Sequence, residues 1–101
     1  MTLPAAQNNW VFDEPKNVAA ITTRQVILEG SPILFVSHAD DDGSWQFLTG
    51  SIFSVTDGMV VALHEIIELD PTVCELADLP LGWDAHRDSV GSPWRRSRHE
   101  D

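Results

Sequence analysis

His64-Glu65-Ile66-Ile67-Glu68 is the stretch of this chain whose residue types and spacing come nearest to a catalytic pattern. In the zinc-protease helix His-Glu-x-x-His, two imidazoles one turn apart hold the metal and the glutamate serves as base. Here the fifth position is Glu68. His64 and Glu68 can share one helix face and supply two ligands, but a catalytic zinc needs three, and downstream the sequence offers only His86 and His99 as imidazoles. These residues therefore read as the outward polar face of an amphipathic helix. A metal-assisted hydrolase using His64 and Glu68, completed by His38 or His86, stands as the enzymatic alternative.

Other chemical patterns fail sooner. His38-Ala39-Asp40-Asp41-Asp42-Gly43 fits the first, third, fifth and sixth places of a calcium loop, yet the twelfth place holds Thr49 instead of a bidentate Glu, and the flanks read as strands. Cys74 lies beside Val73 and close to Ala77 with no cation next to it in sequence, which predicts a small half-buried side chain and no nucleophile. No serine stands in Gly-x-Ser-x-Gly or Ser-x-x-Lys, and no phosphate-cradling glycine motif occurs. The sequence thus calls for no catalytic residue, metal or cofactor.

Charge is the stronger signal. Between Arg24 and Arg87 there is no Lys or Arg, while eleven Asp and Glu residues fall in that span, and the whole chain carries a formal net charge of -10. Such a body repels nucleic acid phosphates and anionic membranes and attracts basic partners. At 101 residues with 43% hydrophobic content, the chain fits one globular domain. A single cysteine excludes an internal disulfide and fits a reducing compartment, and neither a signal peptide nor a membrane span is legible; a cytoplasmic protein is expected.

The elements that must position these residues follow from periodicity and punctuation. Residues 1–9 read as a loose end, with Trp10 and Phe12 docking onto the body. Thr22, with Gln25 three residues on, reads as a capping box, Ile21 and Val26 as its apolar staple and Gly30 as a left-handed stop, giving a helix from about 23 to 29. Pro32–His38 and Trp45–Thr49 flank Asp-Gly and predict a hairpin. Asp57-Gly58 separates Ser51–Val55 from Met59–Val61, where a third strand or bulged extension fits. From Val61 the period becomes helical to Leu69. Asp70-Pro71 then opens a short helix with Val73, Leu76 and Ala77 inward, stopped by Pro80 and Gly82. Trp83–Arg87 alternates as a last strand. Residues 95–101 read as a polar tail with Arg95, Arg96 and Arg98, either a frayed end or one whose arginines fold back onto the acidic face or reach a partner. Trp45 and Trp83, on strands, read as core; Trp10 and Trp94, in the end segments, read as docking or partner contacts. Together these give a small α+β domain over residues 1–94, with an antiparallel sheet around the central hairpin and two or three short helices on one face.

Several strings, among them Phe12-Asp13-Glu14-Pro15-Lys16-Asn17-Val18-Ala19, Pro32-Ile33-Leu34-Phe35-Val36-Ser37-His38, Asp41-Asp42-Gly43-Ser44-Trp45-Gln46-Phe47-Leu48 and Leu79-Pro80-Leu81-Gly82-Trp83-Asp84-Ala85-His86-Arg87, resemble a bacterial family grouped with the immunity proteins of polymorphic toxin systems, type thirty-three. The resemblance runs from about Phe12 to Trp94. It implies an α+β fold, no established catalytic residues, and an immunity-type role in occluding a toxin. Joined to the charge pattern, it gives the expectation of a non-catalytic acidic binder of a basic protein, a toxin domain being one such partner. The expected contact residues are Asp40, Asp41 and Asp42 at the hairpin turn, Glu65 and Glu68 on the helix, and Trp94. A free-standing housekeeping or scaffold domain, whose acidity serves solubility, is the non-enzymatic alternative.

Overall fold

Period-two alternation in the apolar runs sends one face of the central strands inward, and six strands assemble into one mixed sheet in the order Gly58–Ala62, Ala19–Thr23, Trp45–Leu48, Phe35–His38, Trp83–His86, Arg95–Arg98. The computed structural model describes residues 10–51 and 54–99. The expected loose end at 1–9, residues 52 and 53 of the Ser51–Val55 stretch, and residues 100 and 101 of the expected tail lie outside the described residues. In chain order the elements are β1 (Ala19–Thr23), α1 (Arg24–Glu29), β2 (Phe35–His38), β3 (Trp45–Leu48), a 3-10 turn (Val55–Asp57), β4 (Gly58–Ala62), α2 (Leu63–Leu69), a longer 3-10 helix (Pro71–Leu76), β5 (Trp83–His86) and β6 (Arg95–Arg98).

The hairpin forms where Asp-Gly predicts it, pairing Phe35 with Leu48 and His38 with Trp45. Gly43 takes a positive φ of 75°, which a residue with a Cβ adopts at a steric cost. Every neighbouring pair is antiparallel except β1 with β3, which run parallel and make the sheet mixed. The α+β architecture of short helices over a hairpin-centred sheet is thus the observed one.

One face of the sheet carries Ala20, Thr22, Val36, Trp45, Phe47 and Ala85, all buried. Val26 of α1, Leu63 and Ile66 of α2, and Val73, Leu76 and Leu79 from the second 3-10 helix onward close over it as one apolar cluster. Burying each large side chain of this kind stabilises by roughly 1.5–3 kcal/mol. Phe47→Ala, at the centre, should cost about 3–5 kcal/mol. Trp10 and Phe12 dock as expected: Phe12 is buried and meets Trp45 edge-on with ring centroids 5.2 Å apart. Trp45 is core, and Trp83 packs against the core half-buried.

Two local expectations need correction. Thr22 does not cap α1; it is a strand residue whose hydroxyl donates to the Phe47 carbonyl at 2.7 Å, and Thr23 holds the cap position without a side-chain bond. Gln25 turns away to donate to Asp57 at 3.1 Å. Gly30 does supply the left-handed stop, with the Ser31 N–H returning to the Gln25 carbonyl at 3.0 Å. The strand expected after Asp57-Gly58 is present as β4, and the chain enters it through the 3-10 turn, capped by Ser54, with Gly58 at φ -65°. Lastly, Arg95–Arg98 is not a frayed tail. It is β6, an edge strand paired antiparallel with β5, so β5 is not the last strand. The arginines do fold back: Arg95 pairs with Asp88 and Arg96 with Asp78, each at 2.8 Å.

Candidate functional site

The register gathers the acidic loop and the start of α2 at one end of the sheet. β3 begins at Trp45, directly after the loop; Ala20 of β1 lies beside Trp45, and Ala62 of β4 lies beside Ala19, so Leu63 and the residues after it emerge at that same end. Between them runs the segment from Trp10 to Lys16, whose Trp10 indole N–H donates to the Glu14 carbonyl at 2.7 Å.

The Asp40–Asp42 tip is exposed, yet its backbone is held. Ala39 N–H donates to the Ser44 carbonyl at 2.9 Å, Gly43 N–H to the Ala39 carbonyl at 3.0 Å, and Ser44 N–H to Asp42 Oδ1 at 3.0 Å. That last bond, with help from the Ser44 hydroxyl, keeps the Asp42 carboxyl below its usual range. Asp40 leans over Gly82, where an added Cβ would come within 3.3 Å of the Asp40 carboxylate.

Beneath the tip, His38 stacks on Trp45 with ring centroids 3.8 Å apart. Its Nδ1 lies 2.8 Å from the Leu79 carbonyl, an acceptor only, so Nδ1 carries the hydrogen. Its Nε2 faces Glu14 at 3.6 Å. His38 is therefore a floor of the loop, 9% exposed, and not an outward ligand.

Glu65 and Glu68 behave differently from the tip. Glu65 bends back to accept the Ala62 N–H at 2.9 Å, tying off a free donor at the start of α2. Glu68 accepts from His64, whose Nδ1 lies 2.9 Å away on the same helix face. Lys16 approaches the Trp10 ring at 5.9 Å in the shallow groove that Trp10 and Lys16 form with His64 and Glu68. The tip borders a separate hollow lined by Ser37, His38, Gln46 and Gly82, so one sheet end holds two distinct places.

For the hydrolase alternative, His64, His38 and His86 do not converge: His38 faces Leu79 and Glu14, while His86 meets Arg95 at 3.2 Å. Among the described residues no group of three or more His, Cys, Asp or Glu could hold a metal ion. Cys74 is half-buried, and burial together with the Asp70 charge pushes its thiol pKa up, which disfavours the thiolate.

Trp94 is drawn inward. Its indole lies 4.1 Å over the guanidinium of Arg87, which sequence reasoning leaves unremarked on a strand. Arg87 is 4% exposed. Its Nε and Nη2 donate to the Ile33 carbonyl at 3.1 and 2.9 Å, Nη1 to the Thr72 hydroxyl at 2.8 Å, and Nη2 to Asp70 at 2.7 Å. Asp70 meanwhile accepts the Thr72 N–H at 3.0 Å, as the expected cap of the second 3-10 helix.

Among known families, curated proteins and solved structures, none matches this chain. Among the described residues no helix is long and apolar enough to cross a membrane.

Proposed function

We propose that this chain is a non-catalytic binding domain that captures a basic protein through the acidic tip of the β2–β3 hairpin, with an immunity-type block of a cationic toxin domain as the form of that activity. One observation carries the reading: among the described residues no cation lies within ion-pair distance of Asp40, Asp41 or Asp42, while Arg87, Arg95 and Arg96 are each matched to a carboxylate inside the molecule. The three aspartates are exposed and held by the loop's own hydrogen bonds, so a partner would meet them without first ordering them. Glu65 and Glu68, engaged within α2, contribute to the field at the same sheet end more than to direct contact.

An acidic patch of this kind acts mainly on the association rate, which electrostatic steering can raise from about 10⁵–10⁶ toward 10⁸ M⁻¹s⁻¹ or more at low salt. The test is to recover a partner with the full chain as bait and to measure association rates with wild type and with the Asp40→Asn, Asp41→Asn, Asp42→Asn triple variant. Association should slow tenfold or more, roughly, as salt rises, and the triple variant should lose most of that salt dependence. Equal rates at low and high salt would refute the reading.

A further inference from the structure

Among the described residues His38 is the only buried histidine, and its two ring nitrogens meet opposite conditions. Nδ1 keeps its hydrogen on the Leu79 carbonyl at 2.8 Å. That leaves a lone pair on Nε2, which is buried without a hydrogen-bond partner and faces the Glu14 carboxylate 3.6 Å away. Two acceptors thus confront each other across a gap. The charged groups around the ring favour one more proton there. Glu14 approaches from the Trp10–Lys16 segment, and Asp40 and Asp41 border the hollow that His38 also lines. The other elements packed against it bring no free cation: β3 offers the Trp45 indole, stacked 13° from parallel, β5 pairs Trp83 with His38, and beside Leu79 the Asp78 carboxylate is bound to Arg96. Lys16 leans over the Trp10 ring instead. A stacked indole face itself suits a cation.

The segment that carries Glu14 is lightly held. Its far end is fixed, since the Leu63 and His64 N–H groups at the start of α2 donate to the Val18 and Lys16 carbonyls at 2.8 and 3.0 Å. Among the described residues no backbone hydrogen bond ties residues 10–14 to a strand or helix. Their holds on the body are the packing of Trp10 and Phe12 and the approach of Glu14 to His38. We infer that His38 and Glu14 form a proton-operated clasp. A proton taken from water onto Nε2 turns the two facing acceptors into a charge-assisted hydrogen bond that fastens residues 10–14 to the base of the β2–β3 hairpin, and its return to water loosens them. Only the closed clasp gives that proton a second partner, so the segment fastens as pH falls.

NMR of the full chain from about pH 8 to about pH 5, the range in which imidazole exchanges its proton, tests the clasp. The His38 ring resonances and the amides of residues 11–14 should titrate together, and nitrogen relaxation should show backbone order at 11–14 rising toward acid. Glu14→Gln keeps the shape of the side chain but offers an amide N–H to the Nε2 lone pair, closing the clasp without a proton. It should hold residues 11–14 ordered across the whole range, so that their amides no longer follow the His38 ring. A purely structural contact would give no such loss of pH dependence with order retained. Asp13→Asn, which neutralises the exposed carboxylate next door, should leave the pH dependence in place. Order at 11–14 that ignores pH in the wild type, or a pH dependence that survives Glu14→Gln, would overturn the inference.

Discussion

Arg87 and the Asp40–Asp42 tip are both concentrations of charge at strand ends, but the guanidinium is enclosed by three acceptors and an indole, whereas the three carboxylates meet water. The difference separates two uses of charge. A buried cation needs every donor matched, so it fixes the elements that supply the acceptors: here the segment leading into β2, the α2 end and the second 3-10 helix are fastened to the end of β5. Exposed anions fasten little and remain available to a partner.

The largest effect that would sharpen this contrast is loss of the buried cation. Arg87→Ala leaves the Asp70 carboxylate and the Ile33 carbonyl without their donors and should lower stability by about 3–5 kcal/mol in urea unfolding. A loss under about 1 kcal/mol would mean that the enclosure is not a fastening. Asp70→Asn keeps the acceptor for the Thr72 N–H but removes the charge facing Arg87, and should cost about 1.5–3 kcal/mol. At the other region, the triple Asn variant of the tip should unfold at the wild-type temperature or slightly above it, because the amide oxygen at 42 still accepts the Ser44 N–H and relieving like-charge repulsion offsets the weaker bond. A clear drop in its melting temperature would make the tip structural and erase the contrast.

Much of the contrast was written locally, and half of it was not. Asp-Gly between two apolar runs marks the tip, because the positive φ at Gly43 is a property of the turn itself. The period of Leu63, Ile66 and Ile67 marks α2 for the same reason. Arg87 gives no such sign: its acceptors at Thr72, Asp70 and Ile33 lie 15, 17 and 54 residues away, so nothing near it in sequence distinguishes it from an exposed strand arginine. Thr22 is misread on the same ground, since the Phe47 carbonyl that takes its hydroxyl is brought near only by the parallel β1–β3 pairing. β6 looks like a tail because an edge strand needs no apolar face, and its arginines find Asp88 and Asp78 through the β5 pairing. Glu65 was partly legible: three residues after Ala62, it stands at the place from which a glutamate reaches back to a helix start.

The smallest effect concerns acid, and it divides the two regions by sign. Four carboxyls have lowered pKa values in the folded chain: Asp78 and Asp88 through bonds from Arg96 and Arg95, Asp57 through the Gln25 amide, and Asp42 through Ser44. Each titrates at its ordinary value, 3.8, when the chain unfolds. Their stabilisation is therefore present above that value and is lost as pH falls through the lower folded-state values, which confines it to the region below about pH 4. Above that region, acid reduces the net negative charge and with it the self-repulsion of the body. The melting temperature should hold or rise slightly from about pH 7 to about pH 5, then fall below about pH 4. Asp42, Asp78 and Asp88 are exposed and Asp57 is half-exposed, so the acid limb should be shallow, and Asp78→Asn should make it shallower still. A melting temperature that declines steadily from about pH 7 would place the governing titration elsewhere and make the open carboxylates, not the paired ones, the stabilising set.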